Sequence, residues 1–552
     1  MENSFNAIVE KSIKDNWDFD ALTDYKSLTL QYKDVARKIE KMHILFEQVG
    51  IKKGDKIAIC GRNSSHWGVS FLAAITYGAV IVPILHEFKA DNVHNIVNHS
   101  EARLLFVGDI VWENLNEAAM PNLEGIILMT DFTVPVSRSE KLTYAREHLN
   151  ELFGKKYPRN FRREHISYYK DSPEELAAIN YTSGTTSYSK GVMLPYRSLW
   201  SNVIFAQEVL SLKTGDKVVS MLPMAHMYGL AFEFLYEFSI GGHIHFLTRM
   251  PSPKVIFNAF SDVKPNLVIA VPLIIEKIIK KNIFPKLDTT LTKILMNLPI
   301  INDKIKANIR ESMIKAFGGN IYEVIIGGAA FNQEIEHFLK SINFPYTVGY
   351  GMTETGPILG YEDWQRFKEG SCGKAAPRME IKVLSNDPEN EVGEIVCKGM
   401  NTMLGYYKNP EATAQVLDED GWLHTGDLGV IDSEGNITIK GRSKNMLLGS
   451  NGQNIYPEEI EDKINNMPYV SESIIVQQSG NLVALIYPDF DDAYAHGLRN
   501  EDLDRIMEEN RVALNSNLPT FSHISKVKIY PEEFEKTPKK SIKRFLYQEA
   551  KG

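Results

Sequence analysis

Cysteine is scarce in this chain. Cys60, Cys372 and Cys397 are the only three in 552 residues, and they are scattered. Neither a disulfide framework nor a cysteine-based metal site fits that spacing, so a reducing, cytoplasmic setting is expected. Positive charge is not in excess either. The formal net charge is −9, which argues against a general nucleic-acid binder. The first twenty residues are acidic and lack an apolar core, so they do not read as a signal peptide. There is no tandem repeat, no low-complexity tract and no Walker A loop. One stretch, Asn63–Leu85, carries no charged residue and is long enough to span a membrane. Gly78 and Pro83 divide it, however. It parses as a buried helix (Gly68–Tyr77) followed by a buried strand (Ala79–Ile84).

What is present is ordinary globular composition, 43% hydrophobic and 24% charged, in a chain long enough for two or more domains. Apolar residues at Val35, Ala36, Ile39, Met42 and Phe46 predict a helix over Tyr32–Gln48, stopped by Gly50. Strand Lys56–Cys60, the helix and strand above, helix Ala90–Asn98 and strand Leu104–Val107 follow. Such alternation predicts an α/β fold with parallel sheets. Pro135–Arg163 is polar and reads as a connecting excursion. Alternation resumes with strands at Lys217–Met221, His243–Leu247, Leu267–Ala270, Val324–Ile326 and Pro345–Val348. A β-rich subdomain is expected over about 375–441, and a compact α+β segment over 442–552.

Several polar clusters can carry chemistry. In Thr182-Ser183-Gly184-Thr185-Thr186-Ser187-Tyr188-Ser189-Lys190, hydroxyls, backbone N–H groups and one lysine converge. The stretch is read as a loop between strand Leu176–Asn180 and a helix opened by Pro195 and Ser198, a setting that suits polyphosphate. A plain surface loop is the other reading. Gly327-Gly328-Ala329-Ala330 ends a strand with small residues, suited either to a flat ring or to tight packing. Tyr350-Gly351-Met352-Thr353-Glu354 ends another, and Glu354 offers a magnesium ion the oxygen it prefers. Asp427, after the tight turn of Thr425-Gly426, can accept from two vicinal hydroxyls. Arg442 can read a phosphate or sit on a solvated basic turn. His226, in Pro223-Met224-Ala225-His226-Met227-Tyr228-Gly229, is either structural or a neighbour of a substrate carboxylate. A basic run, Glu535–Arg544, reads as a solvated tail or, with Phe545-Leu546-Tyr547, as a packed segment.

Taken in order, YTSGTTSYSKGVML, LPMAHMYG, GGAA, GYGMTETGP, WLHTGDLG and GRSKNMLLGSNGQNIYPEEIE resemble the adenylate-forming superfamily over Ser27–Arg544. LPMAHMYGLAFEF and KPNLVIAVPLIIEKIIKK are most similar to the long-chain fatty acyl-CoA synthetases, with Leu273 where those usually carry arginine. The resemblance implies a large domain (1–441), a small mobile domain (442–552) hinged at Lys444, and ATP, Mg2+ and coenzyme A as reactants and cofactors. It implies that a carboxylate attacks the α-phosphate of ATP and that CoA thiol then attacks the acyl-AMP. It assigns the β- and γ-phosphates to Ser183, Thr185, Thr186 and Lys190, makes Thr182 and Gly184 nucleotide-binding, and gives the metal to Glu354 and Ser183. The adenine falls to Gly328, Ala329 and Tyr350, flanked by Gly351 and Met352. Thr353 meets the α-phosphate, Asp427 and Arg442 the ribose, His226 the acyl tunnel, and Gly452 and Tyr456 the CoA. A fatty acid and CoA are the expected partners, with weak peripheral membrane contact through Lys539, Lys540, Lys543 and Arg544. An adenylating ligase serving a carrier protein, a luciferase-like oxygenase and a non-enzymatic acyl-nucleotide sensor are the alternatives.

The chain also departs from the family pattern. Ser187 and Ser189 replace a glycine and a proline, and Asn451 replaces a glycine. Ser541 stands at the family's C-terminal lysine, and Lys540 is expected to substitute by a one-residue shift.

Overall fold

The computed structural model describes residues 4–182, 190–249, 252–282, 299–449, 453–537 and 542–548. Two large sheets and one helix between them set the architecture. The first sheet has eight strands, in the order 405–406, 191–195, 176–181, 80–84, 56–60, 102–107, 125–128, 136–137. Its five middle strands are parallel, and the two strands at one edge and the one at the other are antiparallel. The second sheet has seven strands, in the order 346–348, 323–326, 267–270, 217–220, 243–246, 20–24, 29–31. All pair in parallel except the last. Strands such as Lys56–Cys60 and Val80–Ile84 are apolar runs without alternation, as burial on both faces requires.

The uncharged stretch is core, not a membrane span. Its helix, Ser65–Tyr77, starts three residues earlier than expected because the Ser64 side chain caps it by accepting from the Trp67 N–H. Gly78 (φ +89°) ends it in a left-handed conformation that suits glycine. The helix is apolar all round because both sheets cover it. At Gly68 the Phe234 ring comes so close that an added Cβ would lie 3.0 Å from it. Among the described residues no helix is long and apolar enough to cross a membrane.

The expected connection after the phosphate-loop candidate is corrected. Gly191–Pro195 is a strand, antiparallel to Leu176–Tyr181, and the helix begins only at Tyr196. Val192 is β-branched and favours a strand, and Tyr407 N and Leu404 N donate to the carbonyls of Gly191 and Met193 on the other edge. The stretch therefore lies between two antiparallel strands, and Thr182 N donates to the Lys190 carbonyl where they meet it (3.0 Å). No helix N-terminus follows it directly, because strand Gly191–Pro195 intervenes before the helix. The excursion over 135–163 also carries two short helices, Glu140–Glu147 and Leu149–Lys156.

A four-stranded antiparallel sheet follows, Met379–Leu384, Gly393–Gly399, Leu423–Ile431 and Ile437–Arg442. Beyond it lies a three-stranded sheet, Val470–Gln478, Asn481–Pro488 and Lys526–Ile529, backed by helices Pro457–Ile464 and Asn500–Ser516. The apolar clusters of this last part hold only residues from Leu447 onward. Polar pairs join it to the rest: Lys280 to the Asn465 carbonyl (3.1 Å), Asn332 to Asn466 (2.6 Å) and Lys440 to Glu459 (3.0 Å).

Candidate active site

The strand ends of the two sheets and one edge of the antiparallel sheet bring most of the expected residues into three groups. In the first, strand pairing sets the geometry. Asp427 lies within strand Leu423–Ile431, in register with Arg442 at the end of the next strand. This corrects the expected position just after a tight turn, although Gly426 does keep a positive φ of +70°. The Arg442 Nε lies 2.7 Å from Asp427 Oδ1, and the Tyr350 hydroxyl donates to Oδ2 at 2.7 Å. Burial pushes the Asp427 carboxyl above its ordinary range, while Arg442 and the Tyr350 hydroxyl pull it back. An ionised carboxylate has about four lone-pair positions. Two are taken here, which leaves room for a pair of hydroxyls.

The second group was only partly legible. Tyr406 sits on the short strand beside Gly191–Pro195. Its ring lies under the Lys190 ammonium (4.8 Å to the centroid) and its hydroxyl donates to Glu354 Oε1 at 2.9 Å. One tyrosine thus holds both the lysine and the carboxylate expected to meet the phosphates and the metal. No reading of the sequence singled it out, and its only local signal is the Gly405-Tyr406-Tyr407 run. Glu354 is on a 3-10 turn, Thr353–Thr355, whose end is fixed by Asn202 donating to the Thr355 carbonyl (3.2 Å) and accepting from Ile358 N (2.9 Å). Thr353 is buried on the same turn. Gly351 lets that segment fold back on itself, since a Cβ there would lie 2.3 Å from the Pro357 carbonyl oxygen. Met352 N donates to the same carbonyl.

The third group joins His226 to the small-residue loop. His226 caps a short helix, its side chain accepting from Tyr228 N (3.4 Å). The Tyr228 hydroxyl donates to the carbonyls of Ile325 (3.1 Å) and Ala270 (3.3 Å), at the ends of two strands. Its ring fills the place of a side chain at Gly327. Gly328 (φ +91°) and Ala329 leave that strand end exposed to solvent.

Lys444, exposed at its surface, lies within electrostatic reach of Arg442, Asp427, Glu458 and Lys190, and desolvation, then Arg442, lowers its ammonium below the usual lysine range. Tyr456 precedes helix Pro457–Ile464, with its Cβ near Gly441. Ser183, Gly184, Thr185, Thr186, Gly452 and Lys540 lie outside the described residues. Lys536 and Ile542, which flank Lys540 in the sequence, form an isolated antiparallel bridge. Lys543 pairs with Glu535, and the part-buried Arg544 pairs with Glu461. Glu535 lies within electrostatic reach of Lys89, just past strand Val80–Ile84. That strand runs parallel to Leu176–Tyr181, so both end on the same side of the sheet. The three thiols are free. Burial pushes each up to about 12, which leaves them poor nucleophiles.

The family model of the AMP-binding enzymes matches residues 9–407, and that of the AMP-binding enzyme C-terminal domain matches 444–550. The chain belongs to the AMP-binding enzyme family. Among curated relatives, the long-chain-fatty-acid–CoA ligase ACSBG2 of Gallus gallus is 27% identical over 87% of this chain, which spans 66% of that protein's length. Long-chain-fatty-acid–CoA ligase 5 of Mus musculus is 27% identical over 92% of this chain and 80% of its own. Among solved structures, the anthranilate CoA ligase AuaEII with anthranoyl-AMP matches with a TM-score of 0.80 at 18% identity, covering 99% of this chain and 96% of that one. At that identity the likeness concerns the fold, and it bears out the expected α/β architecture with a separate C-terminal part. Family members of this kind, the adenylate-forming CoA ligases, use ATP, Mg2+ and CoA.

Proposed function

We propose that the chain is an acid–thiol ligase that joins a long-chain fatty acid to CoA through an acyl adenylate. In the first half-reaction a carboxylate oxygen attacks the α-phosphorus of ATP. The bond to the bridging oxygen breaks, pyrophosphate leaves and acyl-AMP remains. In the second, the CoA thiol loses its proton as sulfur attacks the acyl carbonyl, and AMP leaves. Activation replaces an oxygen that cannot leave with a nucleotide that can.

The observation that carries this reading is the convergence of two charged groups on one turn. Tyr350, four residues before Glu354, holds Asp427 and Arg442, while Glu354 is joined through Tyr406 to Lys190, and Asp427 and Glu354 lie within electrostatic reach of each other. Asp427 would take the two ribose hydroxyls on its open lone pairs, with Arg442 keeping it ionised. Tyr350, Gly351 and Met352, with the exposed Gly328 and Ala329, would border the adenine. Thr353 would meet the α-phosphate. Lys190, with Thr182, Ser183, Gly184, Thr185 and Thr186, would hold the outer phosphates.

A magnesium ion fits this donor set. Among the described residues no three acidic or histidine side chains gather to cage a metal. Mg2+ is ordinarily held by one or two carboxylates together with substrate phosphates, and Glu354 is such a carboxylate, oriented by Tyr406. Glu354 and Ser183 would hold the ion, which when bound screens phosphate charge against the incoming carboxylate.

His226 would border the acyl chain, and Gly452 and Tyr456 the CoA. The chain would divide at about residue 441 and turn about Lys444, which the separation of the apolar clusters supports. Lys540 would neutralise charge between carboxylate and α-phosphate. Lys543 and Arg544 are engaged in ion pairs, which favours Lys540 for that role. The fatty-acid substrate rests on the names of the relatives and on the LPMAHMYG and KPNLVIAVP stretches.

The test is a panel of C2 to C18 and aromatic acids, assayed for AMP release with and without CoA. Release with C14–C18 acids that requires CoA supports the proposal. Release without need of CoA points to another acceptor, and none with any acid points to a sensor.

A further inference from the structure

We propose that residues 155–163 form a docking surface for anionic lipid bilayers. The run Lys155-Lys156-Tyr157-Pro158-Arg159-Asn160-Phe161-Arg162-Arg163 holds five cations and no acid, in a chain whose net charge is −9. The structure sorts its side chains by kind. Tyr157 and Phe161 turn inward onto an aromatic stack with Phe153, His165 and Trp17 (ring centroids 4.9–6.0 Å apart). All five cations are exposed. The stack holds the loop in place, so the cations are presented on a fixed support.

The charges are not all free. Lys155 pairs with Glu151, and Lys156 with Glu40 and Glu47. Arg163 lies 3.9 Å from Glu164 and donates to the Lys14 carbonyl. Arg159 and Arg162 make no ion pair among the described residues. Arg159 and Arg162 therefore remain to meet an outside anion, with the loosely paired Arg163 beside them, at the loop between helix Leu149–Lys156 and the turn Arg163–His165. Exposed aromatic residues stand nearby in the chain: Phe19, two residues from the Trp17 of the stack, and Tyr144, stacked on the His148 that precedes the helix. Arginines presented on a fixed aromatic support suit an interface of charged headgroups.

Charge complementarity selects the occupant. A polynucleotide needs a basic track several phosphates long on a protein that does not repel it. This patch is one short loop on an acidic molecule. A fluid bilayer can gather anionic headgroups beneath such a point. The C-terminal basic run is a poorer candidate, because Lys543 and Arg544 are already paired within the chain.

Each basic residue near an anionic surface contributes about 1 kcal/mol. Removing three should therefore weaken partitioning on the order of 100-fold. The experiment is co-sedimentation of the full chain with vesicles of 70% phosphatidylcholine and 30% phosphatidylglycerol, or of phosphatidylcholine alone, at 50 and 300 mM salt. The chain should bind the anionic vesicles at low salt and be released at high salt. The triple variant R159Q/R162Q/R163Q should lose that binding while keeping its melting temperature and its AMP release on a C14 acid supplied in detergent without vesicles. A charge-matched control, K213Q/K526Q/K528Q, should bind as the parent does. Equal binding by parent and triple variant, or equal loss in the control, overturns the proposal. So does a single-stranded oligonucleotide that binds the parent more tightly than the vesicles do.

Discussion

Tyr406 carries the sharpest prediction, because one side chain serves two groups through different atoms. Tyr406→Phe removes the hydroxyl that donates to Glu354 at 2.9 Å and leaves the ring under Lys190. A hydrogen bond to a charged group contributes about 1.5–3 kcal/mol, and 1.4 kcal/mol is tenfold in an equilibrium constant. Loss of a side chain that orients a metal ligand ordinarily costs about 10–100-fold in metal affinity. The two estimates agree. Tyr406→Phe should therefore raise the Mg2+ concentration for half-maximal ATP binding by about 10-fold or more, read by calorimetric titration at fixed nucleotide. Tyr406→Leu also removes the aromatic face beneath Lys190, worth about 0.5–1 kcal/mol where partly exposed. It should weaken ATP binding by roughly a further two- to fivefold even at saturating Mg2+. Binding in the absence of Mg2+ should change little in Tyr406→Phe. If the Mg2+ titration of Tyr406→Phe overlays that of the parent, Glu354 does not depend on Tyr406 and the second group has been misread.

Three further outcomes follow from the same geometry. Arg442 holds down the carboxyl of Asp427 against burial, so in Arg442→Gln that carboxyl should protonate at higher pH. The acid limb of ATP-dependent kcat/KM should shift upward, and the ATP KM should rise more at pH 6 than at pH 8. An equal rise at both would place the effect of Arg442 on the phosphates instead. Burial pushes Glu323 up to about 8, only partly offset by the Tyr361 hydroxyl and the Trp364 N–H. Between its ordinary value and 8 the folded chain keeps a proton that the unfolded chain has released, so stability falls as pH rises, by at most about 1.4 kcal/mol per unit. Glu323→Gln should flatten the decline of Tm between pH 5.5 and 8, leaving the share due to other buried carboxyls such as Glu336; an unchanged slope would contradict this. Lys540→Ala should slow acyl-AMP formation while sparing thioester formation from supplied acyl-AMP, and Lys543→Ala should do neither. The opposite result would move the role to Lys543.

Much of the fold was legible because periodicity and punctuation agreed. Strand Lys56–Cys60 and the Gly50 and Gly78 stops appear where the pattern puts them. The strand at Gly191–Pro195 was not, because Pro195 is as good a helix opener as a strand end. What makes Gly191–Pro195 a strand is its partner, Leu176–Tyr181. Distance in sequence hid Tyr406 for a related reason. It reaches Lys190 and Glu354 only because residues 405–406 pair with 192–193 across the sheet edge. Asp427 and Arg442 were foreseen as neighbours by resemblance, and the 427–442 strand register is the physical cause. Nothing local marks Glu323 or the arginines at 159–163 as different from other charges. Burial singles out the first and an aromatic stack presents the second.

The most direct test of the central claim is carboxylic-acid-dependent exchange of labelled pyrophosphate into ATP. Exchange isolates the first half-reaction and needs neither CoA nor product release. With a C14–C18 fatty acid and Mg2+, the parent should exchange label, Asp427→Ala should exchange one to two decades more slowly, and omission of the acid should abolish it. The same rate with and without acid, or none with any acid, would contradict the assignment of this site to acyl adenylation.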